Sequence, residues 1–141
     1  MFLPQERITF TVLTNHQRGA EVVLAAERAL GLGRPEREAV AVDDAKHLGR
    51  YSSALIDAEL KREGARLVLV VTPRGGFPTR DSPAPPAPPP VTVAFHDRDR
   101  LFITEGPLRG GEAEFLRSPD GEIAWFRFGG RIMKRSAEPG S

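Results

Sequence analysis

From Arg50 to Arg135, apolar side chains recur at every second position in short segments, and most of these segments end on residues that turn a chain. Alternation at period two sends one set of side chains to each face of a strand. Arg50–Ser53 reads as the first strand. Ile56, Ala58 and Leu60 then alternate with Asp57, Glu59 and Lys61, and Glu63-Gly64 supplies a turn. Leu67–Val71 is apolar throughout, as a buried strand is. Val91, Val93 and Phe95 alternate, His96–Arg100 turns, and Leu101–Ile103 returns. Ala113 and Phe115 alternate with Glu112 and Glu114, and Ser118-Pro119-Asp120-Gly121 is a strong hairpin turn. Ile123–Phe128 is an aromatic strand, Gly129-Gly130 turns it, and Ile132-Met133 continues. About eight short strands at this spacing predict a mainly β fold, an antiparallel barrel or sandwich. A closed barrel is favoured because it leaves no edge strand open to aggregation.

Two stretches depart from that rhythm. Phe77–Pro90 holds seven prolines. Proline lacks a backbone donor and fixes φ, so this stretch is expected as an extended loop between the third and fourth strands. It is either a solvated polyproline spacer or a flap that covers a neighbouring pocket or docks on a partner. Residues 1–32 read as a strand followed by a helix. Ile8, Phe10 and Val12 share one face of a strand over Ile8–Leu13. Thr14 and Gln17 have capping-box spacing, and Ala20, Val23, Ala26 or Glu27, and Leu30 recur at helical spacing, with Val22 and Ala29 widening the stripe. Gly31 and Gly33 stop the helix. Residues 33–47 are a connector, with a helical turn expected near Arg34–Glu38 and a second short turn capped by Asp43 or Asp44. Residues 48–135 form the β domain, and 136–141 are a tail.

Composition narrows the function. The 20 Lys and Arg against 19 Asp and Glu give a net charge of +1, too balanced to imply a nucleic-acid or membrane partner. No apolar run approaches the roughly 18 residues of a membrane-spanning helix. With no cysteine there is no disulfide, thiolate nucleophile or Cys-based zinc site. Met1–Arg7 does not read as a secretion signal, so a cytoplasmic protein is expected.

Catalytic patterns are absent. No serine precedes a lysine by three residues, and there is no G-x-S-x-G, no K-T-G and no phosphate-binding glycine loop. His16, His47 and His96 are far apart, and His96-Asp97 with Asp99 reads as a polar turn in preference to a cation site. Glu112 and Glu114 read as the wet side of a strand. Arg127, Arg131, Lys134 and Arg135, near Trp125, Phe126 and Phe128, read as outward residues on an aromatic-cored barrel in preference to a surface for single-stranded nucleic acid. No catalytic residue, metal or cofactor is expected.

Two segments together resemble a known family. Leu3-Pro4-Gln5-Glu6-Arg7-Ile8, then Val12-Leu13-Thr14-Asn15 running into an amphipathic helix, resembles the last sheet strand and C-terminal helix of the penicillin-recognising serine hydrolases, the group of class C β-lactamases, related esterases and D-aminopeptidases. Leu48-Gly49-Arg50-Tyr51, with a β region ending in Gly121-Glu122-Ile123-Ala124-Trp125-Phe126-Arg127-Phe128-Gly129-Gly130-Arg131, is similar to the lipocalin-like barrel that many members carry after the catalytic domain. The family's S-x-x-K, Tyr-x-Asn and K-T-G or H-x-G elements lie upstream of the matching region, so no catalytic residue carries over. The resemblance implies a non-catalytic accessory barrel that stabilises, oligomerises or restricts access to a hydrolase site, with the 77–90 loop contacting that site.

Physics points the same way for the first segment. A lone strand and a helix of about 14 residues cannot bury the helix's apolar stripe. Residues 8–30 are therefore expected to self-associate or to pack on a serine hydrolase catalytic domain. The alternative is a small barrel that binds an apolar ligand within Phe95, Phe102, Phe115, Trp125 and Met133.

Overall fold

Contacts divide the chain after Pro35 into two compact units. The computed structural model describes residues 2–3, 7–15, 19–32 and 35–136. In the first unit β1 (Phe2–Leu3) pairs antiparallel with β2 (Ile8–Thr9), and α1 spans Gly19–Ala29. The strand expected over Ile8–Leu13 is thus confined to its first two residues. A strand needs a neighbour for its backbone groups, and among the described residues β1 pairs only with Ile8 and Thr9. Phe10–Asn15 carry no regular structure. Gly31 ends the helix as expected: it adopts φ +68°, and the Leu32 N–H donates to the Glu27 carbonyl at 2.9 Å. His16, Gln17 and Gly33 lie outside the described residues. Leu13 is 92% exposed, Val22 53% and Leu30 57%, while Val23 and Ala26 of the stripe are half-buried and Glu27 is buried.

The second unit is a barrel. Its strands are β3 (Gly49–Ser52), β4 (Ile56–Glu63), β5 (Arg66–Pro73), β6 (Val91–Asp97), β7 (Arg100–Ile103), β8 (Glu112–Arg117), β9 (Ile123–Phe128) and β10 (Arg131–Arg135). Every neighbouring pair is antiparallel, and β10 returns to β3 to close an eight-stranded barrel. The mainly β, eight-stranded antiparallel expectation therefore holds, strand for strand. The proline run lies between the third and fourth barrel strands, and Ser118–Gly121 makes its hairpin, with the Ser118 N–H donating to the Glu122 carbonyl at 2.9 Å. No helical turn forms at Pro35–Glu38; those residues are exposed and carry no regular structure.

Alternation decides what fills the interior. Tyr51, Ala58, Leu60, Leu69, Val93, Phe95, Leu101, Ile103, Phe115, Phe126 and Met133 are all buried in one core. Four of these are aromatic, and their rings touch in sequence: Phe95 to Phe115 at 6.2 Å, Phe115 to Phe126 at 4.9 Å, Phe126 to Tyr51 at 5.4 Å. Such contacts stabilise beyond simple area burial. Burial sorts mutational cost accordingly. Phe126→Ala is expected to lower stability by about 3–5 kcal/mol, and Ile132→Ser, on a side chain 55% exposed, by less than about 0.5 kcal/mol. Urea unfolding of the two variants checks this.

Candidate functional site

Residues 36–48 form a strap that runs along the outside of the barrel and then folds over one end. Glu36 meets Arg109 at 3.6 Å, and Arg37 grips Glu112 through Nε at 2.9 Å and Nη2 at 2.8 Å. Further along, the Val40 N–H donates to the Phe95 carbonyl at 2.8 Å. That carbonyl lies beyond the last β5–β6 pair, Leu67↔Val93, so the strap satisfies a group the ladder leaves over. Asp44 is buried and held by Arg62, at 2.7 Å from Nη2. A tight turn follows, as expected of the Asp43-Asp44 pair. Asp43 Oδ1 accepts from the Ala45 N–H, and the Asp44 carbonyl accepts from the N–H groups of His47 and Leu48.

This turn drives His47 into the barrel end. The imidazole is 3% exposed and sits edge-on to Phe95 and Phe115, each 4.8 Å away. Its Nε2 lies 3.0 Å from Asp99 Oδ1 on the β6–β7 turn, and Nδ1 is buried without a hydrogen-bond partner. A carboxylate only accepts, so Nε2 is the donor of this bond. Arg117 holds the other side of Asp99 through Nε at 2.8 Å and Nη2 at 2.7 Å, a paired guanidinium–carboxylate contact. Beneath the turn, the Tyr51 hydroxyl donates to the His47 carbonyl at 2.8 Å. Arg135 donates to the carbonyls of Lys46 and Leu48 and lies 5.9 Å over the Tyr51 ring.

The cluster has the histidine and carboxylate of an acid–base pair but lacks the setting for catalysis. Its imidazole is shielded by two phenyl rings and the turn, and the tyrosine hydroxyl is engaged by a backbone carbonyl. A general base must reach the proton it takes. The arrangement does the work of a plug, closing one barrel end and tying the strap to β3, the β6–β7 turn, β8 and β10.

The sequence-predicted residues separate. Phe95, Phe115 and Met133 point into the barrel. Phe102 and Trp125 do not, which corrects the expected five-residue lining. Leu101 and Ile103 take the interior on β7, so Phe102 between them faces outward and packs against His96 at 6.0 Å. Trp125 pairs with Leu116 and Lys134 on the outer face. His96, Asp97 and Asp99 do not converge: His96 packs on Phe102, Asp97 caps the Arg98 N–H, and Asp99 is taken by His47 and Arg117. Glu112 and Glu114 lie on the outer face, paired with Arg37 and Arg127. Arg135 is bound into the plug, so the four basic residues near Trp125 do not form one patch. Among the described residues no group of three His, Asp or Glu is placed to hold a metal, and no helix is long and apolar enough to cross a membrane.

No family model matches the chain, and no curated protein matches it either. Solved structures do. A structure of SurE with D-Leu is 24% identical over 86% of this chain, at a TM-score of 0.51, and a second structure of SurE is 23% identical over 84%, at 0.48. The chain spans 28% and 26% of the length of those two proteins. At this identity the likeness is one of fold.

Two titrations test the plug. Burial pushes the Tyr51 hydroxyl up to about 12, against the opposing pull of Arg135. Tyr51 is the sole tyrosine, so the phenolate absorbance of the whole protein reports it alone. The midpoint is expected near 12 in the folded protein and near about 10 in denaturant. Stability is then full below the unfolded value and declines as pH rises through the folded one. At the other extreme, the Arg117 hydrogen bond first, and His47 as well, hold Asp99 below the usual carboxylate range despite its partial burial. A depressed folded value adds stability above the unfolded pKa that is lost as pH falls through the folded one. Asp99→Asn is expected to lower the urea midpoint at neutral pH and to flatten its acid limb below about pH 4. Parallel acid limbs would show that Asp99 is not the group concerned.

Proposed function

We propose that this chain is a non-catalytic accessory barrel of a serine hydrolase related to the β-lactamases, serving stability, assembly or access to the hydrolase site. The observation that carries the reading is the contrast between its two units. The barrel is filled and plugged, whereas the preceding unit leaves Leu13, Val22 and Leu30 exposed. Exposed apolar side chains on and beside a short helix call for a partner surface. The segment order of the resemblance supplies one: a terminal strand and helix that belong on a catalytic domain, then a barrel.

Two further points support it. The chain covers 28% of the length of the SurE structure determined with D-Leu. A D-amino acid is also the kind of group that D-aminopeptidases of the resembled family act on. A carrier of apolar ligands is disfavoured, because Tyr51, Phe95, Phe115, Phe126 and Met133 occupy the interior a ligand would need. Titration with a hydrophobic dye is accordingly expected to show no saturable fluorescence change.

The deciding experiment has two arms. Reading the DNA before the Met1 codon is expected to reveal a hydrolase frame with S-x-x-K, continuous with or adjacent to this one. Incubating the purified chain with a chromogenic cephalosporin and a nitrophenyl ester is expected to give no turnover above a heat-killed control. Turnover, or the absence of any hydrolase frame, overturns the reading. The purified chain is also expected to self-associate by light scattering, and Val22→Asp with Leu30→Asp to reduce that association without shifting barrel unfolding.

A further inference from the structure

We propose that Pro83–Pro90, with Arg80 on the turn that precedes it, is a preformed polyproline-II ligand whose partner is a groove lined with aromatic side chains and rimmed by acidic ones. The inference stands apart from the serine-hydrolase reading and survives its failure. It starts from backbone sterics. From Pro83 to Ala87 and on to Pro90, every residue is a proline or precedes one. Proline fixes φ near about −65°. The residue before a proline is driven out of the helical region into extended backbone. Consecutive positions under one or both restraints have polyproline II as their common conformation, with three residues per turn and a solvated backbone. Residues 83–90 carry no helix or strand and are exposed at every position.

The run is anchored at its start. The Ser82 N–H donates to the Thr79 carbonyl at 3.0 Å, the Thr79 N–H donates to Ser82 Oγ at 3.1 Å, and the Gly76 N–H donates to the Ser82 carbonyl at 2.8 Å. A Cβ on Gly75 would stand 2.5 Å from that same Ser82 oxygen, so the stem closes on itself where only glycine fits. The prolines therefore start from a fixed turn beside Gly75 and run back to Val91, which pairs with Leu69 on β5. At about 3.1 Å per residue they extend roughly 25 Å. Phe77 is 71% exposed at the base of the run and adds an apolar surface there.

Spacing gives the run its recognition pattern. Pro83, Pro86 and Pro89 fall on one edge of a threefold helix, with Arg80 three residues before the first. A segment already held in its bound shape loses little entropy on docking, which is how aromatic-lined grooves select proline ridges. The exposed Arg80 guanidinium suits a carboxylate at the groove's end.

The full chain is titrated by calorimetry with a recombinant SH3 domain that selects R-x-x-P-x-x-P peptides, and with that domain's variant lacking its groove tryptophan. Saturable binding to the intact groove is expected, and none to the variant. Pro83→Ala with Pro86→Ala, and separately Arg80→Glu, are each expected to weaken binding about tenfold or more. The urea midpoint of both should match the parent chain, because all three side chains are exposed. No saturable binding by the unaltered chain, equal binding to the groove-deficient domain, or undiminished affinity in either variant would overturn the proposal.

Discussion

The barrel closes across its narrowest join. β10 meets β3 through two residue pairs, Lys134↔Ser52 and Arg135↔Tyr51, whereas β4 and β5 share eight. So short a ladder is weak by itself. Side chains reinforce it: Ser52 Oγ and Ser136 Oγ lie 2.9 Å apart, and the Ser136 N–H donates to the Arg50 carbonyl at 2.8 Å. Arg135 and Tyr51, the second pair of the seam, are also the residues that hold the 44–47 turn. Closing the barrel and seating the plug are therefore one event. A disturbance of the His47 turn loosens the seam, and a loosened seam would expose two strand edges that closure otherwise removes.

Much of this architecture is legible in the amino-acid sequence. All eight barrel strands follow from alternation and turn chemistry, because both are local properties. The faces of individual residues were harder. Phe102 lies between Leu101 and Ile103, all three apolar, so periodicity could not say which faced inward. Trp125 was misplaced by an irregularity at Leu116/Arg117, where the β8–β9 register shifts. With it, Ile123 and Phe126 both turn inward although two residues separate them. The strand over Ile8–Leu13 fits the period-two pattern but has a partner for only two residues. A pattern records what a segment would do beside a neighbour, not whether the neighbour is there.

The plug was invisible for a different reason. His47 and Asp99 are 52 residues apart in the chain, and Asp99 and Arg117 are 18 apart. Nothing in the local sequence distinguishes this histidine from one in solvent. The only hint was the Asp43-Asp44 pair, whose capping chemistry predicted the turn but not the direction in which His47 would point. Long-range polar clusters in small barrels arise from strand order, and only the closed sheet brings three loops to one rim.

The two kinds of surface on this molecule bear unequally on where a partner would sit. Across β7, β8 and β9 the outer face carries Arg100, Glu114 and Arg127 in direct register, with Arg100 and Glu114 3.9 Å apart. Exposed pairs of this sort add little stability. Their effect is to keep a broad sheet face hydrated and unattractive to apolar surfaces. Desolvating that ladder in an interface would leave charges whose mutual attraction need not repay the loss of water. Leu13, Val22 and Leu30 carry no such cost, since covering them removes apolar area from water. Covering these side chains is therefore less costly than covering the charged sheet face.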